Sequence, residues 1–307
     1  MEVGLNLWIG FHLLICSLLF ADLYYAFRYP GPIAFKKAVL FSCGWILLAF
    51  LFDGWIYLRF GAEYALNFFA GYLLEKSLSV DNLLLFSALF SHFHIPESSK
   101  HRVLFYGVIG AICMRGLLIW GGIVLIEHFE WMFYVFGLFL IYAGVLFFQK
   151  TQVEQDPLPS LQNNRWVRLL SSLIRMTPDY EGNAFFVLRH QKWTATPLLL
   201  VLILIEITDL IFAIDSVPAV LGITTVPFIA YTSNIFAILG LRSLFFVLDH
   251  GLKQLRFLHY GLGLLLVFIG MKMLVKDWIA LSPWMTFLIL GTIISGTISA
   301  SLWKKKA

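Results

Sequence analysis

The sequence predicts an all-α, polytopic membrane bundle, and three observations carry that expectation. Of the 307 residues 60% are hydrophobic and 13% charged, with a mean hydropathy of +0.84, whereas an ordinary soluble domain carries about 25% charged residues. The apolar residues are gathered into runs close to the roughly 20 residues that a helix needs to cross a bilayer. Those runs do not alternate with period two in stretches of roughly 10, as the strands of an outer-membrane barrel would.

Nine runs qualify as spans, near 3–24, 38–58, 64–90, 103–126, 131–149, 197–221, 228–248, 257–275 and 281–302. The first lacks a basic leading segment and a small-residue cleavage site, and reads as a retained span and not as a signal peptide. Residues 1–149 form an N-terminal half of five spans and residues 197–307 a C-terminal half of four. Between them, 150–196 is polar and punctuated by Pro and Asn, the composition of a cytoplasmic linker, with "NRWVRLLSSLIRM" reading as a short amphipathic helix on the membrane surface.

The net charge of +4 is a matter of topology. Sixteen of the 22 Lys and Arg fall on alternate connections and the C-terminal tail, among them Lys36, Lys37, Lys100, Arg102, Arg189, Lys192 and Lys304. Arg59 and Lys276 alone lie on the opposite side. This asymmetry places the N-terminus outside and the C-terminus in the cytoplasm, which an odd number of spans requires. It also removes any need for a nucleic-acid partner. Cys16, Cys43 and Cys113 fall one to a span without C-x-x-C spacing, and are expected to be buried small hydrophobes rather than a redox pair or zinc ligands.

Polar residues inside the spans carry the chemistry. "EKSLSVDN" at 75–82 aligns with "DLIFAIDS" at 209–216, each an acid followed six residues later by Asp and a small polar residue. Each copy leads through a Pro, Pro96 or Pro227, to a span holding one Arg, Arg115 or Arg242. The predicted topology runs the third span inward and the sixth outward. The copies are therefore inverted, the arrangement of many secondary transporters with a site near the bilayer midplane.

Five carboxylates, Glu75, Asp81, Glu206, Asp209 and Asp215, lie in these spans. At roughly 2.5–3.5 kcal/mol each on insertion scales, together they approach the net stability of a whole domain. Lys76, Arg115 and Arg242 offset three of them, and the remaining two suit a divalent cation or exchangeable protons. In a regular helix Glu75, Ser79 and Asn82 share one stripe with Asp81 to its side; Glu206 and Asp209 are neighbours, and Asp215 points away from Glu206. Pro218 is expected to unwind the chain near Asp215, freeing backbone carbonyls. Carboxylates, amide oxygens and carbonyls are hard ligands that suit magnesium, calcium or manganese. Thr232, Ser233 and Asn234 of "YTSNIF" are placed to face the same region or to bond between helices, and His92 and His94 read as interfacial.

The blocks "EKSLSVDN", "FSALFSHFHIP", "LIEITDLIFAIDSVPAVLGIT", "PFIAYTSNIFAILGLRSLFF" and "YGLGLLLVFIGMKML" resemble those of the TerC/Alx family of bacterial inner-membrane proteins, in the same order over roughly residues 20–275. The resemblance implies a relation to cation exporters, with manganese efflux in some members and tellurite resistance or an alkali-induced redox role in others. It carries the family's acidic motifs onto Glu75, Asp81, Asn82, Glu206, Asp209 and Asp215, with Ser216 and Asn234 beside them. The family often has an acid just before "PF", where this chain has Val226.

The function expected is export of a divalent cation, Mn2+ above all, by alternating access through these carboxylates, with protons as counter-ion. No resident cofactor and no catalytic activity are expected; the partners are the metal ion, the lipid bilayer and either a second copy or another membrane protein. The alternative is an accessory protein for metal delivery or for a redox or tellurite stress response. An intramembrane aspartyl protease built on Asp81 and Asp215 lacks the G-x-G-D context and leaves three acids unexplained. A redox protein lacks cofactor motifs.

Overall fold

The computed structural model describes residues 3–28, 34–149, 177, 179–189, 192–251, 257–279 and 281–303. The expected surface helix in "NRWVRLLSSLIRM" and most of the linker lie outside the described residues. Among the described residues ten helices make up the bundle: α1 (Leu5–Arg28), α2 (Phe35–Phe60), α3 (Ala62–His92), α4 (Glu97–His128), α5 (Met132–Gln149), α6 (Pro197–Ile223), α7 (Pro227–Ile238), α8 (Leu241–Gly251), α9 (Leu258–Leu274) and α10 (Pro283–Trp303). A small antiparallel hairpin, β1 (Phe186–Arg189) and β2 (Lys192–Ala195), precedes α6.

Helices fall on every expected span, the seventh run being divided between α7 and α8. Among the described residues, α1, α2, α4, α6 and α10 are long and apolar enough to cross a bilayer, and α7 with α8 makes a sixth span if that pair, bent by 41°, counts as one. The expected count of nine is not reached on that criterion. The third run, α3, carries Glu63, Glu75, Lys76 and Asp81, while α5 and α9 are 18 and 17 residues long.

Local chemistry sets the ends of these elements. Proline opens α6, α7 and α10, where its missing N–H and fixed φ cost nothing. Gly61 alone joins α2 to α3 with φ of 98°, a left-handed value that glycine adopts without strain. Gly240, at φ 82°, separates α7 from α8, and a Cβ there would lie 2.7 Å from the Trp45 ring. Pro218, by contrast, sits within a continuous α6. The expected unwinding at Asp215 is corrected: the break falls in the next segment, where a glycine both frees the backbone and lets Trp45 approach.

Helix directions follow from the contacts. Gly107 meets Ile205, Gly110 meets Glu206 and Gly122 meets Leu221, so α4 and α6 run parallel. The short turn between α3 and α4 reverses the chain. Hence α3 is antiparallel to α6, and the two acidic copies cross in opposite directions. On the far side Gly137 faces the carbonyl of Gly270 and Gly144 that of Gly263, so α5 and α9 pack antiparallel backbone to backbone, as small residues allow where lipid leaves only packing to drive association.

The hairpin is fastened to the start of α4. Asn183 accepts hydrogen bonds from Ser99 Oγ (2.6 Å) at its side chain and from Arg102 Nη1 (2.7 Å) at its carbonyl. Tyr180 donates to the carbonyl of Phe93 at 2.6 Å, and partial burial raises its phenol above the ordinary value. The three cysteines are free and exposed at the bundle surface, not buried as expected. A lipid-facing position serves a small apolar thiol as well as a core does.

Gly144→Leu and Gly270→Leu drive a side chain into a facing backbone and are expected to cost roughly 1–3 kcal/mol each. Gly10→Leu, with nothing within 4 Å of its Cβ position, is expected to leave the thermal midpoint of the detergent-purified protein unchanged.

Candidate functional site

The two acidic copies meet at Arg115. It enters from α4, 0% exposed, between α3, α6 and α7. Its Nη1 bonds Glu75 Oε1 of the first copy and lies 3.3 Å from Ser216 Oγ of the second and 3.4 Å from Asn234 Oδ1 of α7. Its Nη2 and Nε reach Asp209 Oδ1 at 3.1 Å and Oδ2 at 3.4 Å. Asn82 Nδ2 donates to Asp209 Oδ1 at 3.4 Å, and Asn234 Nδ2 to Glu75 Oε2 at 3.1 Å. Thus Glu75 of the first copy and Asp209 and Ser216 of the second converge on one guanidinium, and Asn82, the eighth position of the first copy, joins them through Asp209. Seven residues is close to two helical turns, so each pair lies on one face. Opposite directions then bring the first position of one copy to the eighth of the other.

Among the described residues the cluster holds two carboxylates and one guanidinium, a net charge of −1. A guanidinium presents five donors in a planar fork and is the cation best suited to two acids at once. Asn82, 2% exposed, keeps its Oδ1 without a hydrogen-bond donor.

The remaining expected residues take other positions. Ser79 Oγ donates to the carbonyl of Glu75 at 2.7 Å, a bond within its own helix. Thr232 and Ser233 likewise bond carbonyls of α7. Lys76 has no acid partner among the described residues. Its Nζ donates to the carbonyls of Ala237 (3.1 Å) and Leu239 (3.4 Å), which the break after α7 leaves without helical partners. Arg242 pairs with Asp22 of α1, an acid that the count of span carboxylates passed over although it lies within the first apolar run. Asp53 of α2, with a buried unpartnered Oδ1, was passed over in the same way.

Glu206 is half-buried one turn before Asp209, with its carboxylate seated against Gly110, where a Cβ would lie 2.1 Å from Oε1. Its Oε2 has no partner. Asp215 is half-buried on the same helix. Asp81 lies on α3, and its side chain, like that of His92, is outside those described. Among the described residues no three of His, Cys, Asp and Glu stand close enough together to hold a metal ion.

Cavities flank the cluster along α4. One of about 20 Å3, room for a single water, touches Asp209 and Arg242 and is otherwise lined by apolar residues such as Leu83, Phe86 and Ile205. A cleft of about 400 Å3 lies beyond, between α1, α4 and α7, lined by Trp8, His12, Gly116, Trp120, Glu127 and Tyr231. Tyr231 and His12 are 3.3 Å apart there through a ring nitrogen and the phenol oxygen. Along α4, Arg115 stands between the residues that line the two.

The sequence profile of the integral membrane protein TerC family matches residues 60–307, which takes in every residue of the cluster. The chain belongs to the TerC family. A protein of Myxococcus xanthus named as an uncharacterized membrane protein, STKORF319, is 40% identical over 98% of this chain and 93% of its own. Relatives named as membrane-bound redox modulator Alx are 40% identical in Salmonella typhi, over 97% of this chain and 94% of theirs, and 42% in Escherichia coli, over 89% and 86%. No solved structure matches the chain.

Within this TerC protein, Arg115→Met leaves two buried carboxylates without their shared cation, an expected loss of about 3–5 kcal/mol. Arg242→Met releases one partly exposed acid and is expected to cost roughly half that. The difference is read as two unequal falls in thermal midpoint in detergent; equal falls would count against the shared-cation assignment.

Proposed function

We propose that this TerC-family chain exports a divalent cation, with Mn2+ as its cargo. The observation that carries the reading is the convergence of inverted acidic copies on one buried cluster with cavities on either side. A cluster of that kind is where alternating access needs a site: the ion arrives from one side, is held, and leaves to the other. The chemistry of the donors supports a hard cation, since carboxylates, amide oxygens and a hydroxyl are all that the cluster offers. Manganese over magnesium rests on the family resemblance.

Glu75, Asp209 and Asn82 are the ligands proposed at the centre, with Asp81, Glu206 and Asp215 as further ligands or proton carriers along the path. Ser216 and Asn234 support them. Protons that return through these carboxylates supply the driving force. The protein acts in a bacterial inner membrane, N-terminus outside and C-terminus in the cytoplasm. The redox role in the relatives' names finds no dithiol partner among the described residues of this chain, whose three cysteines are each free.

In proteoliposomes, wild type is expected to move Mn2+ down an imposed gradient. Asp209→Asn, Asp81→Asn and Asp215→Asn are each expected to cut that flux by about tenfold or more, the scale of one lost charged interaction. Undiminished flux in all three folded variants would end the reading; absence of flux from wild type itself would favour an accessory role in metal delivery. Orientation is checked separately. Green fluorescent protein fused at the C-terminus is expected to fluoresce, and alkaline phosphatase at the same point to stay inactive.

A further inference from the structure

We propose that Arg115 is a built-in counter-cation: its guanidinium occupies the oxygen cage that a divalent cation takes during transport, and the two exchange for Glu75 and Asp209. The inference rests on the exporter reading and says how its site works.

Three observations lead to it. First, Nη1 of Arg115 lies among oxygens from three helices: Glu75 Oε1, Ser216 Oγ and Asn234 Oδ1. One carboxylate, one hydroxyl and one amide oxygen converging on a point is a hard-cation donor set. Second, Asn82 is nine-tenths buried and its amide already donates to Asp209, yet its Oδ1 receives no bond. A lone buried acceptor is costly. A metal ion beside Asp209 would satisfy it, whereas the guanidinium as it stands does not. Third, the small cavity touches Asp209 and is lined by Gly107, Val108 and Ala111, in the turns of α4 just before Arg115, so an ion has a place to arrive before the guanidinium leaves.

Charge explains why an exchange is required. Adding a divalent cation to a buried set of −1 with Arg115 in place gives +1 in a medium that penalises any net charge. With the guanidinium withdrawn, the same ion is neutralised by Glu75 and Asp209 together. Withdrawal has a direction, because Gly116, next along α4, lines the large cleft beside the Tyr231 ring, and Glu127 lines the same cleft. In the resting state the guanidinium joins the two copies; in the loaded state the metal does. The cluster therefore never holds two unpaired carboxylates.

Mn2+ binding to the detergent-purified full chain tests this, by electron paramagnetic resonance of free Mn2+ at neutral pH. Arg115→Gln removes the competitor and is expected to bind Mn2+ about tenfold more tightly than wild type, with a thermal midpoint that rises on adding metal. Adding Asp209→Asn to that variant is expected to abolish the gain. A folded Arg115→Gln protein with unchanged or weaker affinity overturns the proposal. Should Arg115→Gln fail to fold, Arg115→Lys keeps a charge without the fork, and is expected to bind several-fold more tightly; no gain there overturns the proposal equally. Wild-type flux without tightened binding in the variants removes the counter-cation and leaves transport standing. Tightened binding without wild-type flux keeps the cage and removes transport.

Discussion

A guanidinium with no exposed surface holds two carboxylates that belong to opposite copies of one motif. Bringing three ions out of water costs several kcal/mol apiece, and only close, well-directed hydrogen bonds offset it. Arg115 meets that demand from α4 while Glu75, Asp209, Ser216 and Asn234 come from α3, α6 and α7. None of these helices can rotate or slide by a residue without leaving a charge unmatched. The register of the central four helices thus depends on one polar contact, and the apolar packing around it supplies adhesion without specifying that register.

Glu75 and Lys76 are consecutive residues with separate duties. The acid faces Arg115; the ammonium faces the carbonyls left open where α7 ends before Gly240. Asn234, on the same α7, bonds Glu75 as well. The middle of α3 is therefore tied to α7 at two points, one beside the cluster and one at the break. Any movement that parts Glu75 from its partners also loads the joint between α7 and α8, and Arg242 on α8 carries that load to Asp22 of α1.

Much of this was legible in the sequence, and the rest was hidden for definite reasons. Hydropathy located the helices, since in lipid every backbone group must find an internal partner. The paired motifs located Glu75, Asn82, Asp209 and Ser216. Matching cations to acids by number misassigned them, because Lys76 is satisfied by carbonyls and Arg115 by two acids at once. The break was sought at Pro218, yet a proline late in α6 gives up only one hydrogen bond, whereas Gly240 adopts a left-handed φ and receives Trp45. Glycines seven apart at 137 and 144, and again at 263 and 270, were a visible sign of the α5 and α9 contact. Apolar character alone does not tell the inside of a bundle from its lipid face, and the three cysteines lie at the surface.

The short α9 also shapes the bilayer around it. At 17 residues, and 1.5 Å of rise per residue, α9 is about 26 Å long, short of a hydrocarbon layer of about 30 Å. Leu264 and Met271 on α9 are exposed, so lipid tails meet this face directly. The membrane on that flank is drawn thinner than on the side of the 26-residue α2, by lipids that tilt or by shorter acyl chains gathering there. The protein is in this sense lopsided to its solvent, and acyl-chain length sets how much of the mismatch the bilayer has to absorb.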